Sequence, residues 1–256
     1  MTTYQITVTA VPHIPAVAPG DNVAAFILAA LRDAGLALQA GDLLVIAHKI
    51  ISKAEGRLVN LAAVQPGAKA LEIASLTDKD PRLVELILQE SDEISRLKRG
   101  VLIVRHRLGF TSANAGIDRS NVSQDQPGEW VLLLPEDPDA SAQAIREQIV
   151  QQTGVAVAVV INDSHGRPFR LGTVGTAVGV AGLPALWDRR GEADMFGYRL
   201  QHTEVGLADE IAAAASLIMG QAAEGTPVIL IRGLELPPGD GRAADLIRPK
   251  QMDMYR

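Results

Sequence analysis

The sequence of 256 residues predicts an α/β or α+β fold in which helices flank a mixed β-sheet. Two compact apolar runs, Leu43–Ala47 and residues 155–161, are typical of strands that are buried on both faces. Segments with apolar residues at helical spacing separate and follow these strands. Because helices and strands alternate only partly along the chain, we expect a sheet with both parallel and antiparallel neighbours.

The first 90 residues supply two predicted strands and three predicted helices. Residues 4–11 alternate polar and apolar side chains, as a half-buried strand does. Asp21 is the predicted N-cap of a helix that precedes the strand Leu43–Ala47. Two more helices are predicted near residues 69–75 and from residue 80 onward, where Pro81 suits a first helical turn.

The rest of the chain continues with predicted helices and strands. Helical spacing predicts helices over residues 139–153 and 209–219. A stretch punctuated by glycines, residues 172–182, is either a strand that another backbone approaches closely or a loop. The remaining strand candidates are short apolar runs: residues 101–106, 130–134 and 227–231.

Charge and composition exclude several classes of protein. Thirty acidic and 24 basic residues give a net charge of −6, which argues against broad nucleic-acid binding. Because the chain has no cysteine, a bound metal must rely on oxygen or imidazole ligands. The N-terminal residues lack the pattern of a signal peptide, and glycines interrupt the longest uncharged run, residues 171–187. We therefore expect a cytoplasmic protein without a membrane segment.

The familiar signatures of phosphate-binding loops and hydrolases are missing from the sequence. The patterns G-x-x-x-x-G-K-[ST], G-x-G-x-x-G, H-E-x-x-H and G-x-S-x-G do not occur. Candidate chemistry must therefore be sought in looser groups of polar residues.

Two polar segments contain aspartates that suit a divalent cation. Asp118 lies in residues 114–121, and Asp163 lies in residues 162–170, just beyond the predicted strand 155–161. Two aspartates about 4 Å apart repel by roughly 4 kcal/mol at an effective dielectric constant near 20. If the segments meet, a divalent cation offsets this repulsion. By pattern alone, residues 114–121 are more typical of an ordinary polar turn, whereas residues 162–170 suit a turn and a metal site about equally.

Neighbouring side chains extend these candidate sites. Ser164 adds an oxygen beside the second aspartate, and Arg167 and Arg170 suit phosphate or carboxylate groups, unless they are solvated surface residues. Lys49 and Lys53 follow a buried strand and suit nucleotide phosphates, although lysines in such places are commonly just solvated.

Two further features carry little weight by pattern alone. Residues 219–225 close a predicted helix with small side chains, which is typical of a flexible helix end. His48 and His165 fall in predicted loops, where a lone histidine is usually an ordinary polar surface residue. We therefore assign the histidines no role from their pattern.

Six segments, taken together and in order, carry a resemblance that covers essentially the whole chain. They are VPHIP at 11–15, KIISKAEGR at 49–57, RLGFTSANAGIDRSN at 107–121, LLLPEDPDASA at 132–142, INDSHGRPFRLG at 161–172 and ADEIAAAASLIMGQAAEGTPVILIRG at 208–233. The chain resembles the coenzyme F420-0:L-glutamate ligases, or F420 γ-glutamyl ligases. The resemblance implies their fold, as one unit over residues 1–256 or two closely joined subdomains, without a C-terminal reductase-like domain.

The resemblance also implies a reaction and its cofactors. GTP would phosphorylate a carboxylate of F420-0, and the amine of L-glutamate would displace the phosphate, releasing GDP and phosphate; further γ-linked glutamates can follow. Members of the family are associated with Mg²⁺ or Mn²⁺, with K⁺ and with an intertwined homodimer.

Site residues follow from the resemblance by position. Asp118 and Asp163 would bind metal and act in catalysis together with Lys53, and Ser164 and Gln221 would also bind metal. The implied nucleotide contacts are Val11, Pro12, His13, Ile14, His48, Lys49, Lys53, Asn121, Met219, Gly220, Gln221, Ala222, Ala223, Glu224, Gly225 and Thr226.

Three residues depart from the family pattern. His13 stands where a glycine is expected, Asn162 stands where Thr or Ser usually precedes the aspartate, and Gln221 occupies a place that can be Glu. Two other functions stay open: a nucleotide-binding protein that has lost turnover, and a metal-dependent phosphohydrolase with water as the acceptor. Retention of Asp118 and Asp163 speaks against loss of turnover.

Overall fold

A five-stranded sheet forms the centre of the computed structural model, which describes residues 4–120, 122 and 128–253. Strands β2 (Leu43–Ala47) and β8 (Ala158–Gly166) run parallel, and the other neighbouring pairs run antiparallel, which confirms the predicted mixed sheet. In spatial order the strands are β1 (Thr7–Ala10), β12 (Val228–Arg232), β2 (Leu43–Ala47), β8 (Ala158–Gly166) and β9 (Thr173–Ala181).

Helices cover both faces of this sheet. Helices α1 (Val23–Asp33) and α5 (Pro138–Thr153) share a core with one face, and α6 (Leu207–Met219) packs on the other. The prediction that Asp21 caps α1 is wrong: Asn22 accepts the hydrogen bond from the Ala25 N–H. Among the described helices, none is both long and apolar enough to cross a membrane.

A second hydrophobic core lies in the chain between β2 and α5. Its helices α3 (Ala68–Thr77) and α4 (Pro81–Gln89) pack with strand β5 (Val101–His106) and its neighbours. Asp80 caps α4, and Pro81 lies in its first turn, as predicted for the proline. Strands β3, β4 and β6 were not predicted, because they are short or largely exposed. The elements are α2 (His48–Ala54), β3 (Leu58–Asn60), α3 (Ala68–Thr77), α4 (Pro81–Gln89), β4 (Ser91–Lys98), β5 (Val101–His106), β6 (Thr111–Ala113) and β7 (Trp130–Leu132).

Short elements complete the described chain. The two-stranded pair β10 (Trp187–Asp188) and β11 (Glu204–Val205) encloses a turn-rich segment, and neither strand is long enough to give a sequence signal. Single 3₁₀ turns occur at Leu61–Ala63, Asn114–Gly116, Ala243–Leu246 and Lys250–Met252.

Strand β8 is longer than its apolar run. Asn162 to Gly166 continue the antiparallel pairing with β9, after a register shift at Ile161 and Asn162. The prediction that residues 162–170 begin beyond the strand is therefore wrong, because hydrogen bonding to β9 extends the strand through polar residues. β2 ends at Ala47, opposite Asn162, so the polar end of β8 extends beyond β2 and leaves a notch at this edge of the sheet.

The glycine-rich stretch is strand β9, and its glycines permit close backbone contact. A Cβ atom on Gly175 would lie 2.2 Å from Ser216 Oγ and 2.3 Å from the Ala212 carbonyl oxygen of α6. On the opposite face, a Cβ atom on Gly179 would lie 2.4 Å from the Pro138 carbonyl oxygen. This confirms the interpretation of the stretch as a closely approached strand.

We expect Gly175→Ala to lower the free energy of unfolding by about 1–3 kcal/mol, because the methyl group would overlap helix α6. Gly166→Ala is the matched control in the neighbouring strand, since a Cβ atom added there would meet nothing within 4 Å. Urea unfolding of both variants tests the packing. Equal stabilities would contradict the close approach of β9 and α6.

Candidate active site

Asp118 and Asp163 meet around one buried histidine. The Nε2 atom of His48 lies 3.2 Å from an Asp118 carboxylate oxygen and 3.3 Å from an Asp163 carboxylate oxygen. On its other side, His48 Nδ1 lies 3.3 Å from the hydroxyl of buried Ser52. The two acidic segments, whose meeting the sequence left open, therefore do meet at His48. The expectation that His48 is an ordinary surface residue is wrong.

Each aspartate has a second cationic or polar partner. Lys49 Nζ lies 2.7 Å from the Asp118 carboxylate. His165 Nε2 lies 2.9 Å from Asp163, so His165 is also not an ordinary surface residue, and the Ser164 N–H donates to the other Asp163 oxygen at 2.7 Å. Both carboxylates are thus held in fixed orientations.

Three separate elements bring these groups together. His48 is the first residue of α2, directly after β2, and Asp163 lies on the polar end of β8. Asp118 is held by two backbone hydrogen bonds with Leu132, one in each direction. The side chains therefore come from the ends of two parallel neighbours and from the second core.

A left-handed turn leads into Asp118. Asn114, Ala115 and Gly116 have φ values of 53°, 55° and 66°, a region that non-glycine residues enter at a cost of about 1–2 kcal/mol each. A Cβ atom on Gly116 would lie 2.9 Å from Leu134 Cδ1. The turn thus needs a glycine at its tightest point and stores backbone strain next to the aspartate.

In this cluster, neighbouring opposite charges offset the effect of burial on the pKa of each group. Burial alone would lower the pKa of His48, but Asp163 and Asp118 raise it above its ordinary value. Burial alone would raise the pKa of each aspartate, but His48 with His165 holds the pKa of Asp163 well below its usual range. His48 and Lys49 lower the pKa of Asp118. Both carboxylates are consequently ionised at neutral pH.

The donor set fits a divalent cation. One nitrogen of His48 and one oxygen each of Asp118 and Asp163 lie within 4.8 Å of one another. Neighbouring ligands of Mg²⁺ lie about 3 Å apart and opposite ligands about 4 Å apart, given bonds of about 2.1 Å. Small side-chain movements therefore suffice to place the two carboxylates around one ion.

A cleft of about 470 Å³ opens beside the cluster and collects most of the predicted site residues. Four segments that are distant in sequence form its walls, and the residues at its surface include both lysines that were expected to contact nucleotide. The lining residues from the predicted set are Ile14, His48, Lys49, Lys53, Asp163, Ser164, Met219, Gly220, Gln221, Ala222, Ala223, Glu224, Gly225 and Thr226.

Three of the predicted nucleotide contacts among the described residues do not line the cleft. Val11 is fully buried in the core, and Pro12 and His13 follow it before the cleft wall begins at Ile14. His13 has a φ of 59°, which explains why a glycine is the expected residue there. Asn121 lies outside the described residues.

Of the two lysines that line the cleft, Lys53 has a lowered pKa. Burial is the main cause, and the charge of Lys49 adds to it.

Comparisons with a family profile and with known proteins agree on one family. A profile of the F420-0:Gamma-glutamyl ligase family matches residues 12–233. The chain belongs to this family. It is 48% identical to the coenzyme F420:L-glutamate ligase of Methanothermobacter thermautotrophicus, over 98% of this chain and 99% of the relative. It is also 46% identical to the ligase of that name from Methanocaldococcus jannaschii, over 86% of each chain, and 38% identical to that from Archaeoglobus fulgidus, over 98% and 97%.

In this member of the F420-0:Gamma-glutamyl ligase family, sequence patterns missed the residues that orient the aspartates. His165 contacts Asp163, and the ring of Phe110 lies 4.8 Å from the His165 ring. A signal was available, since Asp163 and His165 are two apart and therefore share one face of an extended β8. Recognising it required knowing that β8 continues past Ile161.

The charge on His48 should make stability depend on pH in metal-free protein. Because its folded pKa is raised above the ordinary 6.5, its stabilising contribution is present below that pH and is lost as pH rises through the folded value. Relative to His48→Gln, the wild type should lose stability between about pH 6 and about pH 9 in EDTA. Denaturant unfolding at both pH values measures this. A constant difference between the proteins would exclude the charged His48.

Proposed function

We propose that this chain is a GTP-dependent ligase that joins L-glutamate to coenzyme F420-0. The observation that carries the proposal is the pair Asp118 and Asp163 at the border of a cleft that also contains Lys49 and Lys53. The names of the relatives, which are coenzyme F420:L-glutamate ligases over nearly their whole length, support the same reaction.

The reaction needs activation because a free carboxylate is a poor electrophile. In the proposed sequence, a carboxylate oxygen of F420-0 attacks the γ-phosphorus of GTP, and GDP leaves. The amine of L-glutamate then attacks the resulting acyl phosphate, and phosphate leaves. Phosphoryl transfer depends mainly on positioning and charge compensation, which Lys49 and Lys53 are placed to supply in the cleft.

Asp118 and Asp163 would hold Mg²⁺ or Mn²⁺, with Ser164 and Gln221 as further oxygen ligands. The ion, when bound, compensates the negative charge of the transferring phosphoryl group. The segment Met219–Thr226 would form the wall for the nucleotide; in it, the Thr226 hydroxyl donates to the carbonyl oxygens of Ile218 and Met219 at 3.1 Å. A requirement for K⁺, the addition of further glutamates, the single-unit organisation and a cytoplasmic location stay predictions.

Incubation with F420-0, GTP, Mn²⁺ and L-glutamate should give a product heavier by one or more glutamyl units. Asp163→Asn should reduce this activity at least about a hundredfold, because the ligand charge that compensates phosphoryl transfer is lost. Mass spectrometry of the product measures both. Asp33→Asn, at an exposed helix end, is the control and should keep full activity.

Other outcomes of this experiment would contradict the proposal in different ways. Equal rates with ATP would exclude the GTP assignment, and GTP hydrolysis without glutamate would favour a phosphohydrolase. GTP binding without any product would favour a nucleotide-binding protein. A fully active Asp163→Asn would remove that residue from the metal site.

We also propose that the chain forms a homodimer through the segment between β10 and β11. Met195 and Phe196 are 95% and 94% exposed in this segment, and Tyr198 is largely exposed beside them. Neighbouring large apolar side chains at such exposure are typical of a surface that another protein covers. A second copy of the chain would cover this surface, in line with the homodimer that the resemblance implies.

Replacing Met195 and Phe196 together by glutamate should therefore shift the protein from dimer to monomer, because burying two charges at an interface is unfavourable. Light scattering after size-exclusion chromatography measures the mass. Leu71→Glu, at an exposed position on α3, is the control and should remain dimeric. A wild-type monomer, or a dimeric double variant, would contradict the assignment.

A further inference from the structure

Asn162 has a buried hydrogen-bond acceptor that the mechanism above does not use. Its side chain is 3% exposed, and its Nδ2 donates to Ser216 Oγ at 3.2 Å and to Met219 Sδ at 3.4 Å. Its Oδ1 is buried and receives no hydrogen bond from the part of the chain that the structure describes. Buried polar atoms are nearly always paired, so this oxygen requires a donor from elsewhere.

The place of Asn162 points to a ligand as that donor. The residue lines the active-site cleft and directly precedes Asp163 on β8. Its two α6 contacts, Ser216 and Met219, fix the amide plane, because both accept from Nδ2. The amide oxygen is therefore held in one orientation, at the residue that precedes Asp163 and lines the cleft.

The chemistry of the reactants selects the donor. This step rests on the proposed function. At the reacting centre, phosphate groups and the carboxylate of F420-0 offer acceptors only, whereas the amine of L-glutamate offers N–H donors. Guanine and ribose also carry donors, but they lie at the far end of the nucleotide from the transferring phosphoryl group. We propose that Asn162 Oδ1 binds the amine of the incoming L-glutamate.

This contact would orient the amine without using its lone pair. One N–H bond of the amine points at Oδ1, and the nitrogen lone pair remains available for the acyl carbon. The C–N bond forms as the C–O bond to the phosphoryl group breaks, and phosphate leaves with that electron pair. The proton lost by the nitrogen passes to the departing phosphate or to water.

Steady-state kinetics of Asn162→Ala and Asn162→Ser test this assignment, with thermal unfolding to confirm that each variant is folded. We expect KM for L-glutamate to rise by roughly tenfold to a hundredfold in Asn162→Ala, with KM for GTP nearly unchanged. Ser216→Ala removes one of the two partners of Nδ2, while Met219 Sδ still accepts from it and Oδ1 is kept, so KM for L-glutamate should rise much less than in Asn162→Ala. Asn162→Ser keeps an acceptor, but on a shorter side chain, so it should raise KM for L-glutamate by less than Asn162→Ala, and this rise is the test if the alanine variant does not fold.

Hydroxylamine separates binding of the amine from activation of the carboxylate. With F420-0, GTP and Mn²⁺ but no glutamate, saturating hydroxylamine should trap the acyl phosphate as a hydroxamate at the same rate in wild type and Asn162→Ala. A lower rate in the variant, a raised KM for GTP, a raised metal requirement or an unchanged KM for L-glutamate would each overturn the assignment. Absence of ligation and hydroxamate in the wild type would instead contradict the proposed function.

Discussion

Two ionised carboxylates that are buried side by side repel each other, by roughly 4 kcal/mol at 4 Å and an effective dielectric constant near 20. Asp118 and Asp163 remain ionised in this position because the ring of His48 lies between them and Lys49 and His165 contact them from outside. This compensation links α2, β8 and the turn before Asp118. Each of these elements must be correctly placed before the carboxylates can share one site.

The sheet supplies the geometry that this arrangement needs. β2 ends at Ala47 and the chain enters α2 at once, whereas its parallel neighbour β8 continues to Gly166. The unequal lengths create a notch at the carboxyl end of the sheet, where ligand sites in α/β proteins commonly form. Because Asp118 comes from the second core, packing between the two cores completes the cluster.

Several departures from ideal local structure lie around the same cleft. Asn114 and Ala115 adopt left-handed backbone conformations before Asp118, and His13 does so beside the cleft wall. Asn162 keeps a buried acceptor without a partner among the described residues. Strain and unsatisfied polar atoms persist where the surrounding structure or a ligand compensates them.

The sequence by itself determined the apolar interior and the chemical inventory. The runs that form β2 and most of β8 were predictable, as was strand β9 as one of two interpretations, because local hydrophobicity and glycine spacing carry that information. The polar segments marked Asp118 and Asp163 as candidate ligands, and the family resemblance implied that they share a metal site. Tertiary structure alone decided that β8 continues through Asn162 and that His48 and His165 are buried against the aspartates. Those features arise from pairing with β9 and packing of distant segments, and a polar residue gives no local signal of such partners.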